Sequence, residues 1–513
     1  MAATRQGAAA NTALLQRLVA ALGTASGQVR EQAERSLARL AVRSAPRQPE
    51  DLQILLPFGG GKDSAWTLAY LRLMQLLLVS RTGRCFGLHV LFMVHPGMPL
   101  GVFDNVVAVL QALEIPGAPE MRVFTTTLGG EEIALGSGTI GDDLVARFRE
   151  EVLISGHLAQ GNGRETFCNG CNFTLMNAIA RYVVNAAGAL DYVVTGDSRS
   201  EVASYWRWVQ RTAAGFALPP MTRRDASWPA VFGKLAEISA SYYDSLLGAG
   251  AAAADPYAFP HVGRQGIHPP EYFGVFEEAS YEYWTHQEFM EGFLGFKLRE
   301  DAFNFTESDC RNPMLMAHLR GLLADFEGRG YCRGVREYLQ LVTHLMARKA
   351  YSEEMIEMAL APYHDDAAIE RRRELAEAHA LGQYRITPLQ LRALVASPLT
   401  DDLARLDRFL AWACPEALPL APALRGHLRR VREAGAAAAN AATEAPGPVR
   451  RLVDGAFGLS PGGLALLLRR STVSGAAGTG CSASELEILR AGDPHQMELG
   501  VSGQQANRII TGR

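Results

Sequence analysis

Between residues 55 and 70 the chain reads LLPFGGGKDSAWTLAY: an apolar run, three glycines (Gly59, Gly60, Gly61), then Lys62, Asp63 and Ser64, then a helical pattern. Residues of these types in this order suggest a phosphate site, the plainer alternative being a glycine turn that simply joins a strand to a helix. Glycines let the backbone approach a ligand closely and aim amides at it. The helix that follows presents the positive end of its dipole to negative charge, and Lys62 adds a point charge. The spacing excludes the wide phosphate loop of kinases and GTPases, which needs a glycine five residues before its Gly-Lys pair and Ser or Thr directly after. Leu56 and Asp63 occupy those positions here. What remains is a short turn between Phe58 and Ser64.

A second cluster, CNGCNFTLMNAIARY, sets Cys168 and Cys171 three residues apart, immediately before a helical pattern. Two thiolates at that spacing can share one soft metal, and a helix N-terminus lowers thiol pKa values. A zinc or iron–sulfur site needs three or four ligands. Cys310 in FTESDCRNP and Cys332 in GYCRG are the candidates for a third, with Cys332 better read as a buried structural thiol. Cys85 and Cys414 read as small buried hydrophobes, at a strand start and in a helix.

Lesser signals surround these two. TGDSRSE (Thr195 to Glu201) follows an apolar run and offers Asp197 and Glu201 as ligands for magnesium or substrate. SYWRWVQR interleaves Tyr205, Trp206 and Trp208 with Arg207 and Arg211; such alternation can stack nucleobases, though a helix with aromatics in the core and arginines in water is the favoured reading. His89 reads as a core residue, whereas His95, just after a strand, could approach a nucleotide. Glu307, Asp309 and Cys310 either line a pocket or belong to the cap of a helix beginning at Pro313. Arg371 to Arg373 read as a solvated helix face.

The glycine turn resembles the PP-loop of the N-type ATP pyrophosphatases, whose pattern is Ser-Gly-Gly-x-Asp-Ser. Gly60, Gly61, Asp63 and Ser64 match it; Gly59 stands where the first serine belongs, so one hydroxyl contact is missing. The resemblance implies a HUP-like domain that holds the pyrophosphate end of ATP with magnesium. A substrate oxygen then attacks the α-phosphate, giving an adenylate and pyrophosphate. With the cysteine pair added, residues 50 to 315 are similar to the tRNA 2-thiocytidine synthetases and to the N-acetyl sugar amidotransferases. In the thiolases a third cysteine completes an iron–sulfur cluster, and Cys310 has the comparable place. Where the thiolases have Gly-His-His and paired aspartates, this chain has Gly196, Asp197 and Ser198.

The elements that must carry these residues are legible from residue 50 to about 200. Strands are expected over Leu52–Phe58, Phe86–Val94, Met121–Thr126 and Tyr192–Thr195. Helices are expected over Ala65–Leu78, Asp104–Leu113, Asp142–Ile154 and Asn172–Ala187. Continuous apolar strands alternating with helices imply an α/β fold with a parallel, doubly wound sheet, and its ligands sit off the carboxyl ends of the strands. Both the glycine turn and TGDSRSE fall at such ends. A final strand is expected at Tyr272–Phe276, after a loop (Gly248 to Pro260) and before a helix from Thr285. The domain expectation is N-terminal helices over 1–48, the PP-loop domain over 49–314, a helical domain over 315–432, and a linker with an unassigned segment over 433–513.

With 513 residues, 48% apolar content and a net charge of −4, the chain reads as an ordinary globular protein, with no composition for coating nucleic acid. No run of about eighteen apolar residues suggests a membrane span. Seven scattered cysteines argue against a disulfide framework and point to the cytoplasm. Four of the fifty basic residues are lysine, so Lys62 is only a weak signal by itself.

The functional expectation is an adenylating ligase or transferase that uses ATP and Mg2+. It activates a carbonyl or carboxylate oxygen on a small-molecule or carrier-bound substrate for replacement by nitrogen or sulfur. An ammonia or sulfur donor protein and a homodimer are possible partners. A tRNA thiolase and a non-catalytic ATP-sensing scaffold are the alternatives. The expected site comprises Gly59, Gly60, Gly61, Lys62, Asp63, Ser64, Thr195, Gly196 and Asp197, with Cys168, Cys171 and Cys310 as ligands for zinc or an iron–sulfur cluster.

Overall fold

The computed structural model describes residues 2–23, 28–99, 101–135, 140–167, 170–186, 188–221, 227–260, 269–279, 281, 285–298, 312–348, 351–434, 445–473, 484–492, 497–499 and 509–511. Cys168, Glu307, Asp309 and Cys310 lie outside them.

Two helices, α1 (Ala2–Gly23) and α2 (Val29–Ser44), precede the first strand, β1 (Gln53–Pro57). There follow α3 (Lys62–Thr82), β2 (Gly87–Met93), α4 (Gly101–Ala112), β3 (Met121–Thr126), α5 (Asp142–Leu158), α6 (Gly163–Phe167) and α7 (Cys171–Asn185). Then come β4 (Tyr192–Val193), α8 (Arg199–Gly215), α9 (Trp228–Leu247), α10 (Ala251–Ala254) and β5 (Glu271–Tyr272). The five strands form one sheet in the order β3-β2-β1-β4-β5, and every pair is parallel. The fold is therefore α/β. Leu55 of β1 pairs with His89 of β2 and with Val193 of β4, so the sheet grows outward in both directions from β1.

Strand side chains alternate between two cores, as the two-residue period requires. Ile54, Leu56, Leu88, Val90 and Phe92 face one apolar cluster, which holds α1 to α4. Leu55, Leu91 and Val193 face a second, which holds α7, α8 and α9. Both faces are covered, which explains why the central strands β1 and β2 are mainly apolar. Helix α3 lies in the first cluster and is buried around most of its circumference, with Trp66, Tyr70, Leu73, Met74 and Leu77 all inside. Buried polar side chains on it find partners within the core: Arg72 Nη1 lies 2.7 Å from Glu120 Oε1 and donates to Gln75 Oε1 at 3.1 Å, while Gln75 donates to the Phe86 carbonyl at 2.8 Å. The N-terminal helices cover its outer face through Leu14, Leu18, Leu22, Leu37 and Leu40. Arg39 of α2 donates through Nε to Glu278 Oε1 at 2.7 Å, just beyond β5.

Helices α11 (Pro313–Phe326) and α12 (Tyr331–Arg348) open a helical region. Its apolar cluster runs to Leu468 and takes in Leu144, Phe148 and Val152 of α5 and Phe167 of α6. Asn312 caps α11, its Oδ1 accepting from Met314 and Leu315 amides at 3.0 and 3.3 Å. Capping is thus the role of the end of FTESDCRNP that the structure describes.

Several expectations change. Helix α10 interrupts the expected loop, a helix over Gly447–Ala456 begins inside the expected linker, and the glycine-rich remainder carries helices Pro461–Val473 and Glu485–Gly492. Strand β4 spans only two residues, and the expected last strand is two residues followed by a 3-10 turn at Val275–Glu277. The expected helix from Thr285 is a π-helical turn at Phe289–Phe293. Cys414 follows helix Leu406–Ala413 rather than lying within it. Arg373 is not simply solvated: it stands over the Tyr331 ring at 4.8 Å and pairs with Glu377 at 3.4 Å. Among the described residues, no helix is long and apolar enough to cross a membrane.

Candidate functional site: a crevice between two strand ends

The strand order reverses between β1 and β4: β2 and β3 lie on one side, β5 on the other. In an open parallel sheet, that reversal leaves a crevice off the carboxyl ends of the two strands. The loop after β1 is Phe58 to Gly61, and the loop after β4 is Val194 to Ser198. These are the two segments singled out in the sequence, and the fold brings them into contact.

Gly60 makes the first loop possible. Its φ of +75° belongs to the left-handed region. A Cβ placed there would stand 2.7 Å from Val102 Cγ1 and 2.8 Å from Val106 Cγ2, both on α4. Gly61 precedes α3 and, lacking a side chain, leaves that helix without a side-chain cap. The first turn of such a helix carries amides that no intrahelical carbonyl accepts, so it favours an anion. Ser64 Oγ donates back to the Gly61 carbonyl at 3.0 Å, Thr67 Oγ1 donates to the Asp63 carbonyl at 2.8 Å, and Lys62 Nζ lies 3.6 Å from Asp63 Oδ2. Gly196 makes the second loop fit against the first. A Cβ on it would lie 3.0 Å from both the Asp63 carbonyl carbon and the Ser64 amide nitrogen.

The resulting cavity is about 450 Å3, within the range of small-molecule and cofactor sites. Gly59, Gly61, Lys62, Asp63, Ser64, Thr195, Gly196 and Asp197 line its polar end. Gly60, turned into α4, supports this lining without joining it. Leu175, Met176 and Ile179 of α7 line the apolar end with Trp208, Val209, Trp228, Val231 and Leu235 from α8 and α9. Sequence reasoning did not assign these walls to the site. The one available signal was SYWRWVQR, of which Trp208 is core (4% exposed), while Tyr205 and Trp206 also line the crevice.

Burial pushes the Asp197 carboxyl up to about 6; the nearby Thr195 hydroxyl pulls it down and Glu201 raises it further. Protein atoms surround Asp197 closely even though part of its surface faces the cavity. Thr195 Oγ1 is buried and has no hydrogen-bond partner of good geometry among the described residues, though Asp197 and Tyr272 stand close by. Buried hydroxyls without partners are uncommon, and this one lines the crevice. Glu201 also reaches the cavity, but its carboxylate is engaged in a capping box: Oε2 accepts from the Ser198 amide at 2.8 Å, and Ser198 Oγ accepts from the Glu201 amide at 3.3 Å. One of its carboxylate oxygens thus has a structural role, while the residue still lines the crevice.

Cys171 faces elsewhere. Cys171 borders a separate, nearly filled cavity of about 10 Å3 with His95, Glu151, Thr166 and Phe148. Glu151 is buried and accepts from Tyr242 and Tyr243 hydroxyls at 3.3 and 3.2 Å, with Arg147 3.7 Å away. A Cβ on Gly170 would come within 2.3 Å of Glu151 Oε1, so the turn before α7 rests on this network. His95 accepts from the Gly97 amide at 3.0 Å and packs edge-on against Phe148, away from the crevice lining. His89 joins Tyr182 and Gln53 at 2.7 and 3.0 Å, in keeping with a core role. Among the described residues no three His, Cys, Asp or Glu side chains converge on a metal position. Cys332 is part-exposed on α12, 4.0 Å from Glu370.

The geometry can hold an anion at the α3 N-terminus, a divalent cation beside Asp63 and Asp197, and an apolar flat group among the α7, α8 and α9 side chains. Compared with known proteins, the chain matches no family model, no curated protein and no solved structure.

Proposed function

We propose that this crevice binds ATP and that the protein transfers the adenylyl group to a carbonyl or carboxylate oxygen of a small-molecule or carrier-bound substrate, releasing pyrophosphate. One observation carries the reading. Two glycine loops, from the two strands flanking the sheet's reversal point, meet at Gly196 and Ser64 beside an uncapped helix N-terminus. The polar end suits a polyphosphate, and the apolar end suits a purine base. The resemblance of Gly60, Gly61, Asp63 and Ser64 to a PP-loop supports the same assignment, and a parallel five-stranded sheet is compatible with it.

Each group then has a task. The amides of Lys62, Asp63 and Ser64 and the Lys62 ammonium neutralise the pyrophosphate as it departs. Magnesium fits the donor set, because it needs only one or two carboxylates when phosphates supply the rest; Asp63 and Asp197 would hold it, and it would draw charge from the leaving group. Thr195 offers a hydroxyl to a phosphate oxygen. A carbonyl oxygen is a poor leaving group, whereas its adenylate departs as AMP, so attack by nitrogen or sulfur becomes feasible.

Isotope exchange between pyrophosphate and ATP, run with pools of candidate acids and amides, tests the reading. Exchange that depends on an acceptor and is lost in Asp63→Ala supports it. Absence of nucleotide binding by calorimetry, or binding unchanged by Asp63→Ala and Ser64→Ala together, would remove it.

A further inference from the structure

A second cleft, about 570 Å3, opens beside the crevice. The two cavities share Asp197, Val202, Trp206 and Tyr272, which form the wall between them. We propose that this second cleft receives the acceptor, and that the acceptor is a small planar acid: a flat apolar body carrying a carboxylate. The inference rests on the nucleotide reading of the first crevice and adds the substrate class to it.

Two features of the lining carry the choice. Trp206, Tyr272 and Phe276 line the cleft; Tyr272 stacks on Trp228 and Phe276 on Trp66, so each of these two rings has one face already covered, and aromatic lining of this kind favours another flat group. The charged rim gives the sign. Glu277 is matched twice, by Arg199 at 3.3 Å and by Arg39 at 3.4 Å. Arg207 donates to Ser204 Oγ at 2.7 Å and pairs with no acidic side chain among the described residues. An exposed guanidinium with no carboxylate partner among the described residues, beside aromatic side chains, can receive a carboxylate in a paired hydrogen bond. Neutral or cationic acceptors would leave it unanswered.

Asp197 is the one acidic side chain common to both linings, which places the meeting point of the two ligands at the end of β4. The step balances without a further reagent. A carboxylate oxygen forms a bond to the α-phosphorus while the bond from that phosphorus to the oxygen bridging to the β-phosphate breaks. The electron pair leaves on pyrophosphate. No proton moves, which agrees with Asp197 acting as an ionised ligand rather than as a base.

The probes are benzoate, 2-naphthoate and the neutral isostere benzamide, followed by ligand-observed NMR and calorimetry on the full chain. Both acids are expected to bind, with benzamide weaker by about tenfold, the equivalent of roughly one charge-assisted contact. Arg207→Ala should weaken the acids by about tenfold and leave ATP affinity within about twofold, while Arg207→Lys restores part of the loss. Equal binding of benzoate and benzamide, acid affinity unchanged in Arg207→Ala, or no acid binding at all would overturn the assignment. ATP affinity, measured separately, distinguishes the two failures: acids that do not bind while ATP does remove only the acceptor assignment, whereas absent ATP binding removes the nucleotide reading.

Discussion

Gly196 lies so close to Ser64 that a Cβ on the glycine would stand 3.0 Å from the serine's amide nitrogen. The two residues are far apart in sequence and belong to different strand–helix turns, yet their backbones set the floor of the crevice. Gly196→Ala should therefore do more than add a methyl group. Backbone cannot yield as a flexible side chain can, so one of the two loops must move. A stability loss of about 1–3 kcal/mol is expected, read as a lower urea midpoint with unchanged slope. Nucleotide affinity should fall by more than stability alone explains, because the shift is applied to the first turn of α3. Unchanged affinity would separate this contact from binding.

Gly60→Ala tests the other support of the same loop. The substitution meets both a positive φ and two valine methyl groups nearer than 3 Å. The combined strain is expected to cost about 2–4 kcal/mol. Val102→Ala in the same chain should recover part of it by making room, although the conformational penalty stays. No recovery would mean that φ and the Val106 contact, not Val102, set the cost.

Asp197 gives a pH signature. Its carboxyl is pushed up to about 6 by burial, so the folded state holds the proton more tightly than the unfolded state does. The stability this brings is complete below the unfolded pKa of about 4, declines as pH rises through about 6, and is gone above that. Asp197→Asn should thus stabilise the protein at pH 7.5 by about 1–2 kcal/mol, discounted for the surface it shows to the crevice, and leave it unchanged near pH 4. Adenylation by the parent should rise with pH through about 6, as the carboxylate forms, and the asparagine variant should lack turnover at every pH. Equal melting shifts at both pH values would dissociate Asp197 from the effect.

The ion pair under α3 is a structural prediction independent of the site. Arg72 is 2% exposed and lies 2.7 Å from Glu120. Removing the acid strands a buried guanidinium, so Glu120→Ala should cost about 3–5 kcal/mol. Replacing both residues, as Arg72→Met with Glu120→Leu, should cost much less than the sum of the two single changes. Chemical denaturation of the four proteins forms the double-mutant cycle that decides it.

The sequence alone determined the elements whose signals are local. Gln53–Pro57, Gly87–Met93 and Met121–Thr126 sit within or match the expected strands because a short run rich in apolar and β-branched residues, closed by Gly, Pro or polar residues, needs no distant information. The phosphate-type turn was legible for the same reason: three glycines, Lys62, Asp63 and Ser64 are consecutive. Tertiary structure decided the rest. Strand order depends on which apolar edges pair, and Ile54 would present the same pattern beside any parallel neighbour. Only the fold placed β4 next to β1, and with it Gly196 against Ser64. Only the fold showed that one Glu201 carboxylate oxygen belongs to a capping box with Ser198, since a capping box and a pair of ligand carboxylates use the same residue types. Leu175, Trp228 and Val231 are ordinary apolar positions on amphipathic helices, and nothing in their spacing separates a core wall from the wall of a crevice. That distinction arises only when three helices pack across one sheet face and leave a space between them.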